Sequence, residues 1–145
     1  MNPLANLERL KGMHQQLVAL AQVTVGLLEN QDLDALDDAW GRRRRLFKEL
    51  RALHGQLKPL FAQLNDKKCR LPSSDQARCR ALAEEIRQMG RKVLELDRRA
   101  EALLLDLRQS MTEDFKRLNA GRRLIHAYNP LAGALLGPDR LSTLG

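Results

Sequence analysis

The sequence predicts an all-α fold: an antiparallel bundle of three long helices, followed by a short C-terminal helical segment and a tail. Three observations carry this expectation. Apolar residues recur at alternating steps of three and four along most of the chain, the period of a helix with one buried face. Aromatics supply only 3% of the residues while 43% are hydrophobic, so the core must be built from Leu, Val, Ile, Met and Ala, which favours helices over a sheet. The rhythm breaks near residues 30–32 and 65–74, and short connections make consecutive helices antiparallel.

The first helix is expected over about residues 3–30. Its stripe runs Leu4, Leu7, Leu10, Met13, Leu17, Leu20, Thr24 and Leu27. Asn30 and Gln31 interrupt it. Asp32 is a fitting N-cap for a second helix over 33–64, and Asp34, Asp37 and Asp38 place negative charge at the positive end of that helix. The second stripe runs Leu36, Trp40, Arg43, Phe47, Leu50, Leu53 or His54, Leu57, Leu60 or Phe61, and Leu64. Pro59 lies inside it and removes a backbone donor, which predicts a kink or a fresh start near Leu57.

Residues 65–74 are polar, contain Pro72 and read as a loop. Ser73 followed by Gln76 has the spacing of a capping box, opening a third helix over 74–119. Its seam is Leu82, Ile86, Met89, Val93, Leu96, Ala100, Leu103 and Leu107, continued after a phase shift by Met111, Phe115 and Leu118. Such a helix is on the order of 65 Å long at 1.5 Å per residue, more than either earlier helix can cover, so part of its apolar face should lie open. Gly121 is expected to end it, with a short helical piece over 121–128. The segment 129–145 holds Pro130, Gly133, Gly137 and Pro138, too many breakers for a stable helix. The organisation is thus a helical domain over 1–128 and a tail over 129–145.

A net charge of +7 attracts phosphate backbones, anionic surfaces or acidic proteins without choosing among them. The excess is +2 in residues 1–64, with 9 basic against 7 acidic, and +5 in residues 65–145, with 16 against 11. Cys69 and Cys79 are the only cysteines, and a chain with this much helix has no need of a disulfide framework, so a reducing cytosol is the simpler setting. No apolar run approaches the roughly 18 residues of a membrane span.

Local signatures of chemistry are missing from the sequence. No glycine-rich phosphate loop or nucleophile elbow is present, the two cysteines do not have the spacing of a compact zinc site, and His14, His54 and His126 are far apart. An enzyme is therefore not expected, nor is any cofactor or metal. Arg42 to Arg45 suggest a nucleic-acid patch until they are placed on a wheel: four consecutive residues spread around most of a helix as a belt, without stacking aromatics nearby. Arg43 differs in falling on the apolar stripe. If the second and third helices pair about a centre near residue 70, Arg43 and Asp97 are each twenty-seven residues from it, which predicts an ion pair that fixes helix register.

Surplus apolar length on the third helix suits an amphipathic helix from a partner. The expected client-facing set is Val93, Leu96, Ala100, Leu103, Leu107 and Met111. A second copy of the chain, making a homodimer, is another way to cover such a face.

Over nearly its whole length the chain resembles the FliT/FlgN-type flagellar export chaperones. The likeness rests on Asp32-Leu33-Asp34-Ala35-Leu36 with Arg42 to Arg45 and Leu46, on Val93-Leu94-Glu95-Leu96-Asp97, and on Gly121-Arg122-Arg123-Leu124-Ile125-His126-Ala127-Tyr128. The resemblance implies a chaperone in the bacterial cytosol that holds the C-terminal helical segment of a secreted flagellar protein, the filament cap, and delivers it to the type III export apparatus. It also implies that the C-terminal segment can cover the client groove; Arg43, Asp97 and Tyr128 are expected to have structural or regulatory roles. The chain is more basic than many export chaperones, which keeps open an alternative: a basic helical adaptor for nucleic acid.

Overall fold

A computed structural model describes residues 2–66 and 69–128, and every regular element among them is a helix: α1 (Pro3–Glu29), α2 (Leu33–Asn65) and α3 (Ser73–Tyr128). The chain divides into two compact units, residues 1–103 and 104–145. Both draw on α3.

Helix α1 begins where Asn2 accepts a hydrogen bond from the Leu4 amide, with Pro3 at the first helical position, where its missing donor costs nothing. It ends in a tight reversal. Gln31 adopts a left-handed backbone (φ 57°), its N–H donates to the Leu28 carbonyl, and the Asp32 N–H donates to the Leu27 carbonyl. This double closure satisfies two carbonyls at the helix end in the arrangement glycine usually serves, and here a residue with a side chain bears the left-handed strain. The next residue starts α2: the Asp32 carboxylate accepts from the Ala35 amide at 3.2 Å, as the sequence predicts. Three residues therefore turn the chain, and α1 and α2 pack side by side.

Three expected boundaries differ. Helix α2 runs through Pro59 without restarting, and Leu57 beside it is 2% exposed, so burial of the flanking leucines holds the helix across the lost donor. Gln76 does not complete a capping box with Ser73. Its amide instead donates to the carbonyls of Leu71 (2.6 Å) and Cys69 (3.4 Å), tying down the loop, while the Gln76 N–H donates to the Pro72 carbonyl. Helix α3 also continues past Gly121 to Tyr128, so residues 121–128 belong to α3 and are not a separate piece. A single exposed glycine costs a helix only about 1 kcal/mol, and the neighbouring Leu and Arg residues are strong helix formers.

The core of the first unit takes one stripe from each helix: Leu7, Leu10, Met13 and Leu17 of α1; Leu46, Leu50, Leu53, Leu57 and Leu64 of α2; Cys79, Leu82, Ile86 and Val93 of α3. Burial pushes the Cys79 thiol above its ordinary value, with Asp75 and Cys69 adding smaller repulsions to the thiolate. Cross-helix ion pairs set the directions. Glu8–Arg78 and Glu29–Arg99 share a sequence offset of 70, so α1 and the first part of α3 run parallel. Arg43 meets Asp97, and the Arg80 guanidinium donates to the Leu64 carbonyl, so partners on α2 and α3 approach the connecting loop together and the helices are antiparallel.

Candidate functional site

The predicted Arg43–Asp97 pair is present and is bidentate: one guanidinium nitrogen donates to Asp97 Oδ1 at 2.6 Å and the other to Oδ2 at 2.5 Å. The side chains keep 17% and 36% of their exposure, and the guanidinium also lies over the Phe47 ring, 5.4 Å from its centre. Two parallel charge-assisted bonds hold a planar fork in one orientation, so the pair fixes how far α2 can slide along α3.

Around it lies the first candidate surface, an open groove of about 770 Å³ on α2 lined by Asp37, Trp40, Arg43, Arg44, Phe47, Lys48 and Arg51. Sequence reading placed Trp40 and Phe47 in the core stripe. The buried positions are instead Ala39 and Leu46, one residue earlier, and Trp40 and Phe47 are over a third exposed. The arginine belt therefore does have aromatic neighbours, contrary to expectation. Arg44, Lys48 and Arg51 make no ion pair among the described residues.

The second surface is the later stretch of α3. Of the six residues expected to face a client, Val93 and Ala100 are buried in the first unit and are corrected to core positions: their contacts are already used. Leu96, Leu103 and Leu107 are half-buried, and Met111 is exposed. Beyond them, sequence reading missed Leu105, Leu124 and Ile125. Together with Met111, Phe115 and Leu118 these are between 53% and 58% exposed, and no residue from 104 to 125 is buried. Leu104, Met111, Leu118 and Ile125 recur every seven residues, the spacing of a seam facing another helix. That heptad was legible in the sequence. Tyr128 closes α3, and its side chain, like the tail 129–145, lies outside the described residues.

The third surface is a groove of about 850 Å³ within the first unit. His54, Lys58, Phe61 and Asn65 form one face of α2 at helical spacing. Arg80, Ala83, Glu84, Arg87, Gly90, Arg91 and Leu94 form the facing side of α3, and His14 contributes from α1. The His54 and Phe61 rings contact each other at 5.5 Å between centroids. The His14 ring donates a hydrogen bond from Nδ1 to the Leu10 carbonyl at 3.0 Å, which orients it.

Among the described residues no group of three or more His, Cys, Asp or Glu side chains could hold a metal ion, and no helix is long and apolar enough to cross a membrane. The three surfaces present cations beside rings, an exposed apolar stretch and a cation-rimmed groove. No protein-family model, curated protein or solved structure matches the chain.

Proposed function

We propose that the chain is a binding protein of the flagellar export chaperone type: a three-helix bundle that holds a helical segment of a secreted flagellar protein, the filament cap, in the bacterial cytosol until export. It is not an enzyme. The observation that supports this reading is the run of six large apolar side chains left exposed between Leu105 and Ile125 on one continuous helix. Met111, Phe115, Leu118 and Ile125 fall on one side of that helix, and such an exposed apolar stripe is costly to leave in water and is characteristic of a partner-binding surface. A helical client laying its own apolar face along Met111, Phe115 and Leu118 removes that cost. Arg43 and Asp97 act in this scheme by holding the helices in register, not by touching the client. The tail 129–145 competes for the same seam, so its deletion tightens client binding.

The test is co-purification of the full chain with the filament-cap protein at moderate salt and with nuclease present. Met111→Glu with Leu118→Glu is expected to abolish recovery while leaving the thermal melt of the bundle in place. Recovery that persists in this double variant overturns the reading. A second reading, an adaptor for nucleic acid, is favoured by Trp40 and Phe47 flanking Arg44, Lys48 and Arg51, since rings beside cations can stack bases along a charged backbone. Partner capture that disappears with nuclease identifies that case.

A further inference from the structure

The groove between α2 and α3 is used by neither surface just discussed, and its chemistry is independent of what the 104–125 seam binds. Its long axis is set by α3 from Arg80 to Leu94, fourteen steps along the helix, or about 21 Å at 1.5 Å per residue. Phe61 and His54 line the α2 side of the groove, and Ala83 and Gly90 line the α3 side. Two small residues one heptad apart thus lie along the α3 side. At Gly90 the space is open: a Cβ built there meets no atom within 4 Å. A trough of this length, with half-buried Phe61 and exposed Leu94 offering apolar surface above the buried Leu64 and Ile86, matches one helix laid between two.

Charge selects the occupant. Lys58, Arg80, Arg87 and Arg91 line the groove, and the sole carboxylate among the described lining residues, Glu84, is already bonded to Arg87 at 2.7 Å. Lys58 and Arg91 have no carboxylate partner among the described residues. We infer that this groove is a docking site for an acidic amphipathic helix of another protein, about four turns long, whose apolar stripe lies over Phe61 and Gly90 and whose carboxylates meet the rim cations. The chain's own tail does not fit by charge, since residues 129–145 contain one aspartate and one arginine.

The probe is a synthetic four-turn peptide with leucines at i, i+3, i+4 and i+7 flanked by glutamates, titrated by fluorescence anisotropy into the full chain at low salt. Its counterpart carries lysines in place of the glutamates, and a single-stranded oligonucleotide serves as a third probe. The acidic peptide is expected to bind at least about tenfold tighter than its lysine counterpart, with affinity falling as salt rises. Gly90→Leu, which fills the trough, and the double change Arg87→Glu with Arg91→Glu, which reverses its rim, each weaken binding about tenfold or more. The second variant alters only exposed side chains, so it decides the matter even if the first fails to fold; thermal melts report folding for both. Equal binding of both peptides, or undiminished binding by the folded variants, overturns the assignment. Stronger binding of the oligonucleotide overturns it in favour of nucleic acid. A dimer seen in sedimentation and lost with the same substitutions overturns it in favour of a second copy of the chain.

Discussion

Residues 73–103 and 104–125 belong to the same helix and use the same few residue types, yet they stand in opposite relations to water. The first stretch buries Cys79, Leu82, Ile86, Val93 and Ala100; the second buries nothing. Helical periodicity is present in both. It reports which side of a helix is apolar and carries no information about whether another helix is there to cover it. The difference should therefore appear in how much each stretch contributes to the stability of the fold.

The sharpest way to break that comparison is a pair of leucine truncations. Leu57→Ala, at 2% exposure against α3's packed half, is expected to cost about 2–5 kcal/mol of unfolding free energy because it removes buried methyl groups and leaves a cavity. Leu118→Ala, at 57% exposure, should change stability by no more than about 0.5 kcal/mol. Urea titrations followed by circular dichroism measure both. A large loss at Leu118 would mean that the second stretch is already covered.

A smaller effect is expected where α2 and α3 lock together. Arg43→Ala leaves Asp97 partly buried without its fork and should cost about 1–3 kcal/mol. Arg43→Lys should recover only part of this, since an ammonium cannot make two parallel bonds. A double-mutant cycle with Asp97→Asn gives the coupling directly, and a coupling near zero would remove the pair's role in register.

The smallest effect concerns the rim of the bundle. Glu85 lies 2.8 Å from Lys11, and its hydrogen bond, followed by its charge, raises the Lys11 pKa above the ordinary 10.5. A lysine whose folded value is raised contributes its stability fully below the unfolded value and loses it as pH climbs through the folded one. The melting temperature should therefore decline slightly more steeply above pH 10.5 in the native chain than in Glu85→Gln. Parallel curves would show that the pair contributes nothing in solution, as many exposed pairs do.

The sequence made some of this visible for physical reasons and hid the rest for others. Asp32 was legible because N-capping is local, and Arg43–Asp97 because two antiparallel helices joined by a short loop reflect residues about a common centre. On α2, Leu36, Leu50, Leu53, Leu57 and Leu64 are buried as expected, but the stripe was misread by one position at Trp40 and Phe47. Trp40 and Phe47 draw the eye by size, whereas the bundle has room there for Ala39 and Leu46; hydrophobicity ranks residues without measuring the gap they must fill. The later half of α1 drifts likewise, burying Ala21, Val25 and Leu28 where Leu20 and Leu27 were expected, because 3.6 residues per turn slips against a seven-residue count. Gly121 misled because a helix stop depends on a left-handed residue with its own hydrogen bonds, as at Gln31, and not on residue type alone. The α2–α3 groove could not be read in advance, since it requires faces from two helices in known register.

Cys79 gives the bundle a built-in gauge of its own motion. With no exposure and a thiol that burial holds protonated, it is shielded from alkylating reagents in the closed state, both by access and by want of thiolate. Modification must wait for α3 to part from its neighbours, so the labelling rate of Cys79 counts those openings and converts to their free energy when closing outpaces the reagent. A partner helix seated between α2 and α3 would slow that clock without touching the sulfur.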